Sequence, residues 1–196
     1  MTEVLDHIAT AIATLPQRGA LVAIDGVDGS GKTTFARALH ERLSMPASRL
    51  VHLDDFVNPP QIRHARGRWS PEGFWLDTYD YARIRAEVLD GPREADPSLV
   101  IVEGMFLLRG DLAAFWDFSV FLDVPFAETA RRMAIRDGTH ADPDHVSMRR
   151  YVEGQRLYFD AERPWARASL VVDNSDPATP RIIRPDECTA AREGCV

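Results

Sequence analysis

Short apolar runs alternate along the chain with segments in which apolar residues recur every three or four positions. A few consecutive aliphatic residues, bounded by Gly, Pro or Asp, are typical of strands that are buried on both faces of a parallel sheet. Strands alternating with helices predict an α/β fold, with an open five-stranded parallel sheet flanked by helices. The five predicted strands are Leu21–Ile24, Arg49–Phe56, Leu99–Gly104, Val120–Val124 and Leu170–Asp173.

Helices are predicted where the apolar spacing matches a helical repeat, and proline and glycine residues mark their boundaries. Residues 57–76 are rich in Pro, Gly, Arg and Trp, and they are expected to form an irregular loop, which in a compact domain is usually functional. The predicted helices are residues 3–15 before Pro16, a helix from near Lys32 that ends before Pro46, Tyr81–Val88 before Gly91-Pro92, Phe126–Asp137 after Pro125, and Asp142 to about Arg163.

The chain is expected to form one domain over residues 1–183. Its 196 residues are 45% hydrophobic, which is enough for one sizeable core, and no Pro/Gly/Ser-rich linker divides them. Residues 184–196 are polar and are expected to be a mobile tail. Both cysteines, Cys188 and Cys195, lie in this tail, where they indicate neither a structural disulfide nor a metal site.

Charge and composition argue against several classes of function, although a local basic cleft for phosphates stays compatible with them. The net charge of −7 argues against a general nucleic-acid or anionic-membrane surface. The first residues include Glu3, Asp6 and His7 where a signal peptide would be apolar, and no run reaches membrane-spanning length. We therefore expect a cytoplasmic protein in a reducing compartment with no nucleic-acid or membrane partner, and either a monomer or a homo-oligomer.

The first predicted strand leads into a glycine-rich segment with the P-loop spacing G-x-x-x-x-G-K-[ST]. Glycines let backbone N–H groups form an anion-binding nest, and the following helix adds its positive dipole end. Lys32 is expected to reach the β- and γ-phosphates of a nucleotide, and the Thr33 hydroxyl to coordinate Mg²⁺. The predicted nucleotide-binding residues are Gly26, Asp28, Gly29, Ser30, Gly31, Lys32, Thr33 and Thr34.

The lysine content of the chain agrees with this interpretation. Lys32 is the single lysine, against twenty-two arginines. A planar guanidinium would not fit a phosphate cradle as a compact ammonium does, which explains why lysine is kept at this position. The alternative is a flexible glycine-rich turn that matches the motif by accident. It does not explain why the single lysine of the chain stands at this position.

Four segments together resemble the uridine kinase / phosphoribulokinase family of P-loop kinases. They are Ile24-Asp25-Gly26-Val27-Asp28-Gly29-Ser30-Gly31-Lys32-Thr33-Thr34, Leu53-Asp54-Asp55-Phe56, Val102-Glu103-Gly104 and Arg132…Arg136-Asp137. The resemblance covers roughly residues 18–183 in order. It implies ATP-dependent phosphorylation of a small-molecule hydroxyl, often on a nucleoside, by a nucleoside/nucleotide-kinase-like P-loop NTPase with a helical lid, here about residues 131–160.

The resemblance also implies roles for individual residues. Asp54 matches the aspartate that accepts the proton of the acceptor hydroxyl and lies near the metal, and Glu103 matches the carboxylate near magnesium. Arg132 and Arg136 lie four residues apart on the predicted lid-side helix, so both guanidinium groups share one face and could stabilise a transferring phosphoryl group. The alternatives are a solvated helix face for the arginines and a solvent-exposed strand end for Glu103.

The acceptor pocket is predicted within residues 56–79. Trp69 stands where uridine and cytidine kinases carry the aspartate that binds the ribose hydroxyls. Aromatic walls suit a flat heterocycle, whereas three arginines in six residues suit a carboxylate or phosphate on the acceptor. The candidate acceptor-binding residues are Asp54, Phe56, Trp69, Phe74, Trp75 and Tyr79, with Arg63, Arg66 and Arg68 as donors.

Three functions remain open at this point. The favoured one is an ATP- and Mg²⁺-dependent kinase for a nucleoside or nucleoside-like hydroxyl. A kinase for a pantothenate-like or sugar-like acceptor is an alternative, and a regulatory P-loop ATPase without an acceptor is another. A GTPase would need a guanine-reading N-K-x-D segment, which the chain lacks because its single lysine is Lys32.

Overall fold

A computed structural model describes residues 2–15, 19–43, 47–91 and 99–193. Six strands form one sheet in the order β2-β3-β1-β4-β5-β6. The first five are mutually parallel, and β6 pairs antiparallel with β5. The predicted α/β fold is confirmed, and β6 is an edge strand that the sequence analysis did not predict. The strands are β1 (Ala20–Gly26), β2 (Ser48–His52), β3 (Leu99–Gly104), β4 (Phe118–Asp123), β5 (Leu170–Asp173) and β6 (Arg181–Ile183).

Helices cover both faces of the sheet, so every residue of β1 and β3 is buried. The predicted helix Phe126–Asp137 is confirmed with Pro125 at its N-cap. The boundary prolines Pro16, Pro46 and Pro92 lie outside the described residues. The α-helices are α1 (Thr2–Ala13), α2 (Lys32–Leu43), α3 (Pro60–Arg63), α4 (Pro71–Asp77), α5 (Tyr81–Ile84, continued by a π-helical turn Arg85–Leu89), α6 (Gly110–Ala113), α7 (Phe126–Asp137), α8 (Arg149–Glu162), α9 (Pro164–Arg167) and α10 (Ala190–Glu193).

The second strand is shorter than predicted. It ends at His52, and Leu53–Phe56 forms a 3₁₀ turn. Leu53 packs against Gly104, where an added Cβ would lie 2.3 Å from the Cβ of Leu53. Asp54 and its neighbour Asp55 therefore lie on a turn that follows the strand. The expectation that they point to opposite faces of a strand is therefore wrong.

The segment predicted as an irregular loop contains the short helices α3 and α4. Ser70 caps α4 by accepting a hydrogen bond of 3.0 Å from the N–H of Gly73, and Pro71 follows at the first turn. Ser-Pro is a helix-start signal that the polar composition of the segment concealed. Gly73 and Phe74 are buried, and α4 packs against α8.

Helix α8 begins later than predicted. Asp142 accepts a hydrogen bond from the N–H of Asp144 in a local turn, and the chain then forms a 3₁₀ turn over Val146–Met148. The α-helix itself begins at Arg149. Aspartate followed by proline therefore marks a turn here, since the carboxylate bonds locally instead of capping a helix.

The predicted mobile tail is packed against the domain from residue 184 to residue 193. The carboxylate of Asp123, buried at the end of β4, accepts hydrogen bonds from the N–H and hydroxyl of Thr189 and from the N–H of Ala190. Glu193 accepts a hydrogen bond from the N–H of Phe126, and Cys188 is fully buried. These donors satisfy the buried carboxylate, so residues 184–193 pack against the domain in this structure. Cys195 lies outside the described residues.

Replacing Thr189 by valine is expected to lower the free energy of unfolding by about 1.5–3 kcal/mol. The change keeps the side-chain shape but removes a hydroxyl donor 2.8 Å from the buried Asp123 carboxylate. Thr179→Val is the matched control, because the Thr179 hydroxyl also donates to an aspartate, but at an exposed site. Urea denaturation measures both variants. Equal midpoints for the two would contradict the stabilising role of this contact.

No helix within the described part of the chain is long and apolar enough to cross a bilayer.

Candidate functional site

A cavity of about 440 Å³ opens at the carboxyl ends of β1 and β3, where ligands bind in open parallel sheets. It brings together residues from the P-loop, the turn after β2, the end of β3 and the last turn of α7. Its lining residues are Asp28, Gly29, Gly31, Lys32, Thr33, Thr34, Asp54, Tyr79, Glu103, Gly104, Met105, Arg136 and Asp137.

The loop between β1 and α2 has the backbone geometry of an anion-binding nest. Gly29 and Gly31 adopt φ values of +77° and +90°, a region that side-chain-bearing residues rarely occupy. A Cβ at position 29 would lie 2.9 Å from the backbone oxygen of Thr129, and one at position 31 would lie 3.0 Å from the Asn174 amide nitrogen. Glycine is therefore favoured at both positions by conformation, and at position 29 also by space.

Helix α2 begins at Lys32 and presents its first turn to this cavity. The first N–H groups of a helix have no acceptor within the helix, and they lie at its positive end. The Lys32 ammonium arches back over the loop and donates a 2.8 Å hydrogen bond to the backbone oxygen of Val27. Ser30 is fully buried, and its hydroxyl has no partner among the described residues. These donors fit the phosphate groups of a nucleotide.

The end of β3 carries a candidate metal ligand. Glu103 is 5% exposed, and its Oε1 accepts a 2.9 Å hydrogen bond from the Thr33 hydroxyl. The same oxygen lies 2.7 Å from Nδ1 of His52, so the carboxylate is held from two sides. Among the described residues no cluster of three His, Cys, Asp or Glu side chains could hold a metal by itself. A hydroxyl with one or two carboxylates suits Mg²⁺, which keeps waters and phosphate oxygens as its other ligands.

Asp54 projects from the 3₁₀ turn into the same cavity. Its Oδ1 accepts a 3.1 Å hydrogen bond from the hydroxyl of Tyr79. Burial, reinforced by the nearby Asp54 carboxylate, raises the pKa of Tyr79 well above its ordinary value, so this phenol remains a donor. The adjacent Asp55 does not line the cavity, and its backbone oxygen accepts from Arg83.

A third carboxylate, that of Asp25, lies beneath the loop and is fully buried. It accepts hydrogen bonds from the Tyr158 hydroxyl at 2.6 Å and from the N–H groups of Leu108 and Gly26. Burial raises the pKa of the Asp25 carboxyl, and these three donors act in the opposite direction. The group thus ties β1 to α8 and to the segment after β3, and it lies outside the cavity lining.

The two arginines of α7 occupy different positions. Arg132 does not line the cavity, because its guanidinium donates to the backbone oxygens of Gly29, Ser30, Asn174 and Ser175 and pairs with Glu128. It therefore supports the loop from behind, and in this structure its guanidinium does not line the cavity.

Arg136 lines the cavity and is 59% exposed. It pairs with Asp28 at 3.2 Å and with Asp137 at 2.6 Å. The hydrogen bond to Asp137 raises the pKa of Arg136 above its ordinary value, so the guanidinium is fully charged at the mouth of the phosphate site.

Most of the predicted acceptor walls lie elsewhere. Phe56 and Phe74 are buried in the core, at 5% and 4% exposure. Trp69 is 60% exposed and lines a separate cavity of about 640 Å³ with Val146 and Arg149. Arg63 is half-buried, and none of these residues lines the P-loop cavity. The positions differ from expectation because α4 turns its apolar face inward against α8.

Arg66, Arg68 and Trp75 complete the predicted acceptor set. Arg66 pairs with Asp77 at 2.9 Å, and Arg68 is exposed, with its guanidinium 5.3 Å from the Trp69 ring centre. Trp75 packs against the core. None of the three lines the P-loop cavity either, and Tyr79 and Asp54 are the members of the set that do.

Three supporting residues were missed by the sequence analysis. His52 fixes Glu103, as described above. Gln155 of α8 accepts a 2.8 Å hydrogen bond from the N–H of Asp28, and the Asn174 amide donates to the backbone oxygen of Ser30 at 2.7 Å. Nothing in the local sequence signals these contacts, since each joins residues far apart in the chain.

Comparisons with known proteins agree with this geometry. No protein-family model matches the chain. A thymidylate kinase of Xanthomonas campestris is 30% identical over 169 residues, covering 73% of this chain and 71% of that protein. Human nicotinamide riboside kinase 1 is 26% identical, covering 59% of this chain and 64% of that protein. The solved structure of a possible uridine kinase from Bacillus stearothermophilus superposes with a TM-score of 0.66 at 21% identity, covering 87% of this chain and 97% of that one.

These relatives are kinases of nucleosides and nucleotides, and the superposed structure shares the fold of this chain. The protein is thus a phosphotransferase, and the resemblance found in the sequence is confirmed. The chain belongs to the P-loop kinases of nucleosides and nucleotides.

Proposed function

We propose that this protein transfers the γ-phosphoryl group of ATP to a hydroxyl group of a small molecule, a nucleoside or nucleoside-like compound. One observation carries the proposal: the Asp54 carboxylate lines the same cavity as Lys32 and Thr33 of the P-loop. A carboxylate at this place can accept the proton of an acceptor hydroxyl while that oxygen attacks phosphorus. A nucleotide-binding switch has no need of such a base.

The proposed reaction balances with groups of this chain. The acceptor oxygen forms a bond to the γ-phosphorus, the bond from that phosphorus to the bridging oxygen breaks, and ADP leaves. The hydroxyl proton passes to the Asp54 carboxylate, which Tyr79 orients through its 3.1 Å hydrogen bond. Lys32 neutralises negative charge on the phosphates, and the N–H groups at the start of α2 bind phosphate oxygens.

The Thr33 hydroxyl and Glu103 are the proposed holders of Mg²⁺, with Asp54 as a further candidate ligand. When bound, the metal would neutralise charge on the phosphate oxygens. The Thr33 hydroxyl lies 2.9 Å from a carboxylate oxygen of Glu103, so the two groups stand side by side, which fits one small, hard cation. His52 orients the carboxylate and is a positioning residue.

Residues 1–183 are proposed to form a single domain, against which the segment 184–193 packs. Residues 131–160 are proposed as the lid of this domain. They comprise the end of α7, a connection in which His140 and His145 stack at 3.8 Å, and most of α8. Arg136 sits at the cavity mouth on this segment, so its movement toward the phosphates would stabilise the charge of the transferring group.

The thymidylate kinase relative supports a second candidate, in which the acceptor is the phosphate of a nucleoside monophosphate. A phosphate acceptor needs no general base, because it is already ionised at neutral pH. The two candidates therefore differ in whether Asp54 is required for turnover.

An acceptor screen tests the proposal. Purified protein is supplied with MgATP and uridine, cytidine, nicotinamide riboside, pantothenate or thymidylate, and products are identified by mass spectrometry. Phosphorylation of a hydroxyl on one of the non-phosphate compounds is the expected result. Thymidine diphosphate as the sole product would favour the second candidate. ADP formation without any phosphorylated acceptor would favour the regulatory ATPase.

Glu103→Gln is expected to raise the Mg²⁺ concentration needed for half-maximal turnover, because an amide is a weaker ligand for a hard cation than a carboxylate. Turnover of the variant is measured across a Mg²⁺ titration at saturating ATP. Glu87→Gln is the control, since Glu87 lies at the surface in an ion pair with Arg83. A Glu103→Gln variant with the metal dependence of the parent would remove Glu103 from the metal site.

A further inference from the structure

Phe106 holds a backbone conformation that side-chain-bearing residues rarely adopt. Its φ is +67°, and Arg163 is the only other non-glycine residue with positive φ in the part of the chain that the structure describes. Arg163 ends α8, where a left-handed residue is common, whereas Phe106 lies in the turn that follows β3. Such a conformation persists only where surrounding contacts fix it, and these positions cluster at active sites. The contacts of Phe106 therefore bear on function.

The segment around Phe106 contacts the functional site on both sides of this residue. Gly104 and Met105 line the P-loop cavity, so the chain immediately before Phe106 forms part of its wall. Two residues after Phe106, the N–H of Leu108 donates a 2.9 Å hydrogen bond to the Asp25 carboxylate beneath the loop. The turn at Phe106 thus leads the chain from the cavity wall to the base of the P-loop, and the Phe106 side chain is buried in the core.

The Phe106 ring lies between the rings of two tyrosines. It meets Tyr158 edge-on, with 5.1 Å between the ring centres, and Tyr79 edge-on at 6.5 Å. Both distances lie in the range of favourable aromatic pairs. Each of the three residues is at most 2% exposed, so close packing fixes the position of its ring. We call these three residues, Tyr158, Phe106 and Tyr79, the aromatic row.

Both ends of the aromatic row are attached to carboxylates of the site. The Tyr158 hydroxyl donates to Asp25 at 2.6 Å, and the Tyr79 hydroxyl donates to Asp54 at 3.1 Å. Asp25 also accepts the N–H of Gly26, the first glycine of the P-loop, at 2.6 Å. Burial raises the pKa of both tyrosines well above the ordinary value, and the two carboxylates add to this increase, so both phenols remain donors. The aromatic row therefore connects the base of the P-loop to the proposed general base.

We propose that Phe106 is a positioning residue, which sets the distance between the P-loop and the Asp54 carboxylate through the aromatic row. This inference rests on the proposed kinase function and adds to it a residue that does not itself line the cavity. The base must be in place when the acceptor oxygen reaches the γ-phosphorus, and a displacement of about 1 Å can lower the rate about 100-fold. This requirement explains why the chain keeps a strained phenylalanine at this turn.

Phe106→Leu tests the role of the central ring. Leucine keeps an apolar side chain but removes the edge contacts to both tyrosines, so Asp54 loses its fixed position. We expect kcat with the acceptor found in the screen to fall about 10- to 100-fold. The KM for ATP should stay at the parental value, because Phe106 does not line the cavity.

Phe126→Leu is the matched control for this substitution. Phe126 is 3% exposed, and its ring stacks on Phe159, outside the aromatic row. It lies ten residues before Arg136, about 15 Å along α7 from the cavity mouth. The two variants should therefore lose melting temperature to a similar extent, while kcat of Phe126→Leu stays at the parental level. An equal fall of kcat in both variants would overturn the inference, and so would parental kcat in Phe106→Leu.

A double-mutant cycle establishes whether Phe106 acts through Tyr79. Tyr79→Phe keeps the ring but removes the hydroxyl that donates to Asp54. In this background we expect Phe106→Leu to cause no further fall of kcat, because the aromatic row no longer reaches the carboxylate. Effects that multiply in the double variant would overturn the inference, since Phe106 would then act by a route that does not include Tyr79.

Crystal structures of the two phenylalanine variants test the inference without turnover. The hydrogen bond from Tyr79 to Asp54, 3.1 Å in the parent, should be lost in Phe106→Leu and kept in Phe126→Leu. An unchanged contact in Phe106→Leu would overturn the inference and leave the kinase proposal standing. If the parent phosphorylates no acceptor, the kinase proposal is overturned, whereas loss of the contact in Phe106→Leu alone would still support the positioning of Asp54 by Phe106.

Discussion

Lys32→Ala is expected to lower kcat by about 10³-fold while the protein remains folded. Catalysis in this class of reaction depends on positioning and on charge stabilisation, and loss of one preorganised donor removes about 10²–10³ in rate. Lys32 is half-buried at the cavity, and its ammonium contacts the loop through the Val27 backbone oxygen. Arg132 cannot replace it, since its guanidinium donates to the backbone oxygens of Asn174 and Ser175.

Turnover with saturating MgATP measures this effect, once an acceptor is identified. Arg37→Ala is the matched control, because Arg37 is an exposed cation on the same helix, five residues further along. Circular dichroism and the melting temperature establish that both variants are folded. Turnover of Lys32→Ala at the level of Arg37→Ala would refute the assignment of Lys32 to the phosphate site.

The P-loop could be predicted from the sequence because its geometry depends on local residue types. Gly29 and Gly31 occupy backbone conformations that glycine favours, and Lys32 starts a helix whose apolar face is visible in the sequence. The central strands could be predicted equally well. Strands β1 and β3 are buried along their whole length, so their sequences are continuous apolar runs.

The features that were mispredicted depend on contacts between distant segments. Trp69 and Phe74 are both aromatic and five residues apart, yet one is exposed and the other buried, because α8 covers only one of them. The segment after β6 looked mobile by composition, but the buried carboxylate of Asp123 binds it. His52 lies next to Glu103 through strand pairing, which no local pattern reveals.

The arginine pair on α7 includes one feature that the local sequence predicts and one that depends on contacts with distant segments. The spacing correctly indicated that Arg132 and Arg136 share one helix face, and both do contact the P-loop. Their roles could not be separated from the sequence, because the backbone oxygens that surround Arg132 come partly from the segment after β5. Only Arg136 therefore remains available to the cavity.

Asp54→Asn is expected to lower kcat by about 10²- to 10⁴-fold, whereas Asp55→Asn should leave kcat close to that of the parent. Asp54 lines the cavity and is oriented by the Tyr79 hydroxyl, so it can take the acceptor proton, and an amide cannot. Asp55 has the same chemistry one residue away but does not line the cavity. Comparing the two variants therefore distinguishes an effect of the position of the carboxylate from an effect of losing one negative charge.

The measurement is kcat and acceptor KM for both variants with the acceptor found in the screen. A general base acts in the transition state, so Asp54→Asn should lower kcat and kcat/KM together. A metal ligand would instead show a turnover that recovers at high Mg²⁺, which distinguishes the two candidate roles of Asp54. If Asp54→Asn keeps parental kcat with a hydroxyl acceptor, the hydroxyl proton does not pass to Asp54. If it keeps parental kcat with thymidylate alone, the acceptor is a phosphate, as in the second candidate function.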